Sequence, residues 1–125
     1  MLVFKMTYFF DTYAIIELIK LNPNYNRFDG LKIVTSVMNL GELYNIFLKD
    51  KGRKHADEFF EACNFEFLEI SPKIMVEAVR FRYENRKANI SLADSVGYVL
   101  ALEHKLKFLT GDRQFENMPN VEFIK

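Results

Sequence analysis

Four acidic side chains occupy positions where an ionised group is costly. Asp11 closes the apolar run Met6-Thr-Tyr-Phe-Phe10 and precedes Thr12-Tyr-Ala-Ile-Ile16. Glu42 shares a helical stripe with Met38 and Ile46, its neighbours one turn away on either side. Asp94 opens the apolar stretch 92–102, and Asp112 follows Lys107-Phe-Leu-Thr-Gly111. A carboxylate beside a core costs several kcal/mol unless something compensates it. Four such groups from distant parts of the chain point to one shared compensator, and a divalent cation fits best. Ligation by oxygen alone, without His or Cys, favours Mg²⁺ or Mn²⁺ over zinc. The chemistry open to such a centre is metal-dependent hydrolysis, in which the ion activates water and a second ion stabilises a leaving oxygen. Without metal, clustered carboxylates repel one another and some hold protons.

Each acid also has an ordinary role open to it. Asp11 is a favoured residue type for capping a helix that begins at Thr12. Glu42 could be a solvated helix residue, although Gly41 beside it lets another chain or a ligand come close. Ser91-Leu-Ala-Asp94 fits a capping box, with the acid reaching back to the cap. Asp112 after Gly111 fits a turn. His55 and His104 stand in polar helical surroundings, without a partner at ligand spacing, and read as surface residues. Cys63 reads as a small buried hydrophobe rather than a nucleophile. The sequence carries neither a Gly-rich phosphate loop nor a G-x-S-x-G elbow, which counts against a serine hydrolase.

The elements that must position these acids alternate in type. Apolar runs of strand character cover 6–10, 32–36, 65–70, 107–110 and 121–124. Helical patterns cover 12–21, 37–50, 53–63, a segment capped by Ser71-Pro72, and 91–105. Asn22-Pro23-Asn24 closes the first helix and Gly52 breaks the second. Leu40, Tyr44, Phe47 and Leu48 share one face of that second helix. Strands and helices alternating in this way predict an α/β fold, a mostly parallel sheet of about five strands with helices on both faces. Ligands of such sheets bind beyond the carboxyl ends of the strands. Asp11 and Asp112 fall at or just past strand ends. Glu42 and Asp94 are expected in the first turns of their helices, on the same rim.

At 125 residues, the chain is expected to form one domain, 1–125. Half of it is hydrophobic, with 13 Phe and 6 Tyr, which argues against disorder. The single cysteine forms no internal disulfide, so a reducing, cytoplasmic home is expected. No leader is expected, because Met1-Leu-Val-Phe4 is too short and the run 8–16 is broken by Asp11. The same break argues against a membrane span, which needs about 20 apolar residues. The formal charge is zero, from 17 basic and 17 acidic residues, so composition carries no nucleic-acid signal. Two bound divalent ions would change that, by adding four positive charges to the loaded protein. A cluster of Lys49, Lys51, Arg53 and Lys54 and another of Arg80, Arg82, Arg86 and Lys87 read as solvated faces. The second precedes Asp94 closely enough to flank a site and hold phosphates.

The order and context of the acids resemble the PIN domain, the nuclease family that includes VapC-type toxins. The matching pieces are Phe9-Phe-Asp-Thr-Tyr-Ala14, Ser36-Val-Met-Asn-Leu-Gly-Glu-Leu43, Leu92-Ala-Asp-Ser95 and Leu109-Thr-Gly-Asp-Arg-Gln-Phe115. Each is short, but the four fall in family order and span nearly the whole chain. The resemblance implies a three-layer α/β/α sandwich, in which Asp11, Glu42, Asp94 and Asp112 line one pocket and hold Mg²⁺ or Mn²⁺. It matches Thr12 to the small polar residue after the first acid, and Thr110 to the one two places before the last. It further implies an RNA substrate, a homodimer, and inhibition by an antitoxin protein. The segment 49–63 reads as one short helix with a basic start, where family members vary most, so substrate choice does not carry over. Two rivals stay open: a catalytically idle PIN-like module that binds RNA or a partner protein, and a phosphoacceptor receiver domain. A receiver needs a central Asp after the third strand, and the run 65–70 ends without one. Metal-dependent RNA cleavage separates all three.

Overall fold

Phe9 and Phe10 are adjacent, fully buried, and belong to opposite sides of the molecule. Successive strand residues face opposite ways, so a strand buried on both faces needs an unbroken apolar run. The computed structural model describes residues 7–125. Met6, expected to begin the first strand, and the run Met1-Leu-Val-Phe4 lie outside the described residues. The elements are β1 (Tyr8–Phe10), α1 (Thr12–Ile19), β2 (Val34–Thr35), α2 (Val37–Lys51) and α3 (Arg53–Ala62), followed by β3 (Glu66–Phe67), α4 (Pro72–Glu84), α5 (Leu92–Glu103), β4 (Lys107–Thr110) and β5 (Val121–Phe123). Short 3-10 turns occupy Pro23–Phe28, Arg86–Ala88 and Arg113–Phe115.

All pairing is parallel. One ladder runs β1-β4-β5, with Phe9 opposite Phe108 and Leu109 opposite Glu122. The other joins β2 to β3. A side chain links the two ladders: the Thr35 hydroxyl donates to the Phe10 carbonyl at 2.8 Å. Among the described residues five strands are present, in line with the expectation, but β2 and β3 are only two residues each.

Phe9 and Phe108 stack at 5.9 Å and pack against Ile74 and Ala78 of α4 and Val96, Tyr98 and Leu100 of α5. Phe10 and Leu109 face Ala14 and Ile15 of α1, Leu43 of α2, and Tyr25 and Phe28 of the first 3-10 turn. The result is an α/β/α sandwich of the expected class. Gly52 stops α2 as its sequence predicts. Its φ of 86° lies in the left-handed region, and its N–H closes the helix on the Phe47 and Leu48 carbonyls at 3.2 and 3.1 Å.

The inward face of α2 differs from the expected one. Asn39 and Leu43 are buried, whereas Leu40 and Tyr44 border an open groove beside α3 and Leu48 is exposed. Phe47 belongs with α3, where it stacks on Phe59 at 4.5 Å. His55 and His104 are exposed as expected. Cys63 is half-buried rather than buried, and burial raises its thiol pKa, so it is not activated. Among the described residues, no helix is long and apolar enough to cross a membrane.

Candidate active site

β1 and β4 end side by side, and the Asp11 N–H donates to the Leu109 carbonyl at 3.3 Å. That register brings Asp11 and the Gly111-Asp112 turn to one rim of the sheet. α2 and α5 carry Glu42 and Asp94 to the same place. A cleft of about 320 Å³ is lined by Asp11, Thr12, Tyr13, Glu42, Asn45, Ile46, Asp94 and Asp112. All four acids predicted from sequence therefore meet, although they are separated by up to about a hundred residues of chain.

Asp11 both caps a helix and lines the cleft. Its Oδ1 accepts from the Ala14 N–H at 2.8 Å, which caps α1. Its Oδ2 is buried and, among the described residues, accepts no hydrogen bond of normal geometry, the Thr110 hydroxyl being only a weak neighbour of the carboxyl. An unpartnered carboxylate oxygen in a buried place is rare and calls for an explanation. Burial pushes the Asp11 carboxyl well above the usual carboxylate range, and the Asp94 charge adds to the rise. The Thr110 hydroxyl and the Ala14 N–H act against it.

Glu42 lies in the second turn of α2, not the first. The Thr12 hydroxyl donates to its Oε1 at 2.5 Å. Thr12 in turn accepts from the Asn39 amide at 3.1 Å, and the Ser36 hydroxyl donates to Asn39 Oδ1 at 2.7 Å. This chain of bonds ties the start of α1 to α2 and fixes the direction of Glu42. Sequence reasoning missed Asn39. The available signal was a polar residue one helical turn before Glu42 and three after the capping Ser36, on an otherwise apolar face.

Asp94 sits in the first turn of α5, and half of its expected capping box is present: Ser91 Oγ accepts from the Asp94 N–H at 3.0 Å. Burial, helped by the charges of Glu42 and Asp112, pushes the Asp94 carboxyl up to about 7, while the Ser91 hydroxyl lowers it. Asp112 is partly exposed, and Thr110 shapes its turn by accepting from the Asp112 N–H at 3.0 Å. Thr110 thus has a visible task, as does Thr12.

Among the described residues, no basic side chain forms an ion pair with the acids of this cleft. Among the described residues, the ion pairs are Arg27–Glu122, Arg53–Asp57 and Lys73–Glu77, all at the surface. The second basic cluster is partly occupied elsewhere. Arg82 Nε donates to the Ile90 carbonyl at 2.8 Å, and the Arg86 guanidinium lies 4.4 Å from the centre of the Tyr83 ring. Gln114, two residues past Asp112, donates to the Asn89 carbonyl at 3.3 Å and links that region to the Asp112 loop.

A divalent ion fits the Asp11 oxygen that lacks a partner among the described residues, the hard oxygen donors around it, and the raised carboxyl pKa values. One observation limits that fit. Among the described residues, no three acidic, His or Cys side chains stand close enough to enclose one ion between them. A single ion would therefore have to draw the carboxylates closer together to be held by three of them.

A parallel α/β sandwich with an acidic cleft at its strand ends can serve several chemistries, so the family must be shown independently. The PIN domain family model matches residues 8–121, and the chain belongs to that family of nucleases. No curated protein sequence matches it significantly. Among solved structures, the chain is similar to the Mycobacterium tuberculosis toxin VapC20, described as cleaving the sarcin–ricin loop. The TM-score is 0.76 at 15% identity, over 95% of this chain and all of the other. It is also similar to a chain of VapBC2 from Rickettsia felis bound to a promoter DNA fragment, with a TM-score of 0.72 at 20% identity over 96% of this chain and 100% of that one. A Klebsiella pneumoniae toxin–antitoxin complex matches with a TM-score of 0.71 at 20% identity, over 94% and 96% of the two chains. At these identities the similarity speaks for the fold.

Proposed function

We propose that this protein is a metal-dependent endoribonuclease that hydrolyses RNA phosphodiesters and acts as the toxin of a toxin–antitoxin pair. One observation carries this reading: four carboxylates line one cleft, and a buried oxygen of Asp11 accepts no hydrogen bond from the described residues. Asp11, Glu42, Asp94 and Asp112 would hold Mg²⁺ or Mn²⁺. Bound there, the ion would supply Lewis acidity, lowering the pKa of water and neutralising charge that builds on the phosphate.

The chain's own residues do the positioning. The Ala14 N–H anchors one oxygen of Asp11 and leaves the other free. Thr12, itself oriented by Asn39, points Glu42 into the cleft. Thr110 sets the turn that carries Asp112. Asp94 gives up its proton as positive charge arrives, because a cation favours the ionised form.

An antitoxin protein as partner, a homodimeric state and a cytoplasmic home belong to the same proposal. The toxin–antitoxin complexes among the similar structures support the antitoxin, the lone Cys63 supports the reducing home, and the homodimer rests on the family resemblance. The wide setting of the carboxylates favours a second reading, a catalytically idle PIN-like module that binds RNA or a partner protein.

Purified protein should cleave single-stranded or loop RNA in Mg²⁺ or Mn²⁺ and stop in EDTA. Undiminished cleavage in excess chelator would rule out the metal, and no cleavage in either ion would favour the idle module. The two tasks of Asp94 are separable in the same assay. Ser91→Ala should cost about 1 kcal/mol of stability, read by denaturant melting, and leave the folded protein's cleavage rate largely intact. Asp94→Asn should keep the helix start and lose cleavage, since an amide is a much poorer Mg²⁺ ligand. Normal cleavage by Asp94→Asn would leave capping as its whole role.

A further inference from the structure

The hydrolytic reading uses Asp11, Thr12, Glu42, Asp94 and Asp112 and leaves Tyr13, Asn45 and Ile46 of the cleft wall without a task. Tyr13 is the second residue of α1, half-buried, and directly follows the threonine that holds Glu42. Its ring has a seat built for it. A side chain at position 111 would overlap the Tyr13 ring and the Ile124 carbonyl, so Gly111 is what lets the ring lie there. Lys125 Nζ stands 5.6 Å from the ring centre. A tyrosine phenol is uncharged at neutral pH, so the ring presents a neutral face. Asn45 is exposed on α2, nearly one turn beyond Glu42, and its amide carries both donors and an acceptor.

A wall of four carboxylates repels a polyanion, and the ion's charge acts on phosphate. Neither discriminates among bases. An uncharged aromatic ring and a free amide at the same wall are the groups that do. Unpaired bases stack on aromatic side chains and are read at their edges by amides. We infer that Tyr13 and Asn45 form a nucleobase subsite, where Tyr13 stacks on an unpaired base beside the phosphate held at the carboxylates and Asn45 hydrogen-bonds that base's edge. The inference rests on the nuclease reading and narrows its substrate to single-stranded RNA, because a base in a duplex offers no free face.

The probe is a short single-stranded oligoribonucleotide carrying 2-aminopurine, mixed rapidly with protein in Mg²⁺ so that quenching by stacking is read before turnover. Wild type and Tyr13→Phe should quench it alike. Tyr13→Leu should lose the quenching and bind about 10-fold more weakly, with KM raised to match and kcat nearly unchanged. Asn45→Ala sits at an exposed position that folding does not need. It should keep the quenching and flatten the preference among four oligonucleotides that differ only at the probed base.

The subsite is overturned if Tyr13→Leu, with an unchanged melting temperature, quenches and binds as wild type does. Should Tyr13→Leu not fold, Asn45→Ala decides, and an unaltered base preference overturns the inference. Cleavage by wild type with both variants unaffected removes the subsite and leaves the nuclease standing. Tyr13-dependent quenching without any cleavage keeps the subsite and removes the nuclease.

Discussion

Asp11→Asn is expected to abolish RNA cleavage, by about a thousandfold or more, while leaving the protein folded. The substitution preserves shape, and its amide oxygen can still accept the Ala14 N–H that Asp11 holds at 2.8 Å, so the cap on α1 survives. What disappears is the buried oxygen that accepts no hydrogen bond from the described residues. Because burial and the Asp94 charge oppose ionisation there, a side chain that cannot ionise spares the metal-free fold the cost of holding a proton that the unfolded chain releases. The melting temperature in chelator should therefore rise, by about 4 °C for each kcal/mol regained. Cleavage at the normal rate would reduce Asp11 to a helix cap. A melting temperature that drops sharply would mean its charge supports the fold.

The second large effect concerns pH. Folded Asp94 keeps its proton up to about 7, whereas an unfolded aspartate releases it near about 4. Between those values the folded state binds more protons than the unfolded one, so stability falls as pH rises. This penalty is absent below about 4 and complete above about 7, and the elevated Asp11 carboxyl acts in the same direction. In chelator, the melting temperature of wild type should fall relative to Asp94→Asn across that window, by on the order of 10 °C. Saturating Mg²⁺ should flatten the difference, since the ion binds the ionised form. Identical pH profiles for the two proteins would show that Asp94 titrates as a solvated acid, and the cleft would lose a member.

Most of this molecule was legible because its signals are local. The adjacent Phe9 and Phe10, the break at Gly52 and the Ser71-Pro72 start each act within one turn or one strand, and β1, α2 and α4 formed where they were read. The meeting of the four acids was legible for a different reason: parallel sheets present their strand ends on one rim.

What was not legible depends on partners far away in the chain. Asn39 is buried because Thr12, 27 residues earlier, needs its amide. Tyr25 is buried in a 3-10 turn that sequence presented as a mere helix stop, and its hydroxyl reaches the Ile124 carbonyl across 99 residues at 2.6 Å. Leu40 and Tyr44 share an apolar face of α2 by spacing, yet the core takes Leu43 and the Asn39 amide from the neighbouring face. The strand 65–70 shrank to two residues because β3 pairs only with the equally short β2.

The helix cap on Asp11 also has a bearing on which ion the cleft selects. With one oxygen already accepting from the Ala14 N–H, the carboxylate would meet a cation more readily through Oδ2 alone than through both oxygens. Calcium, which is large and takes six to eight oxygens, often with bidentate carboxylates, gains little from such a ligand. Magnesium, small and octahedral, loses nothing by it. The hydrogen bond that starts a helix would thereby also act as a size filter for the metal, by limiting denticity at the buried ligand.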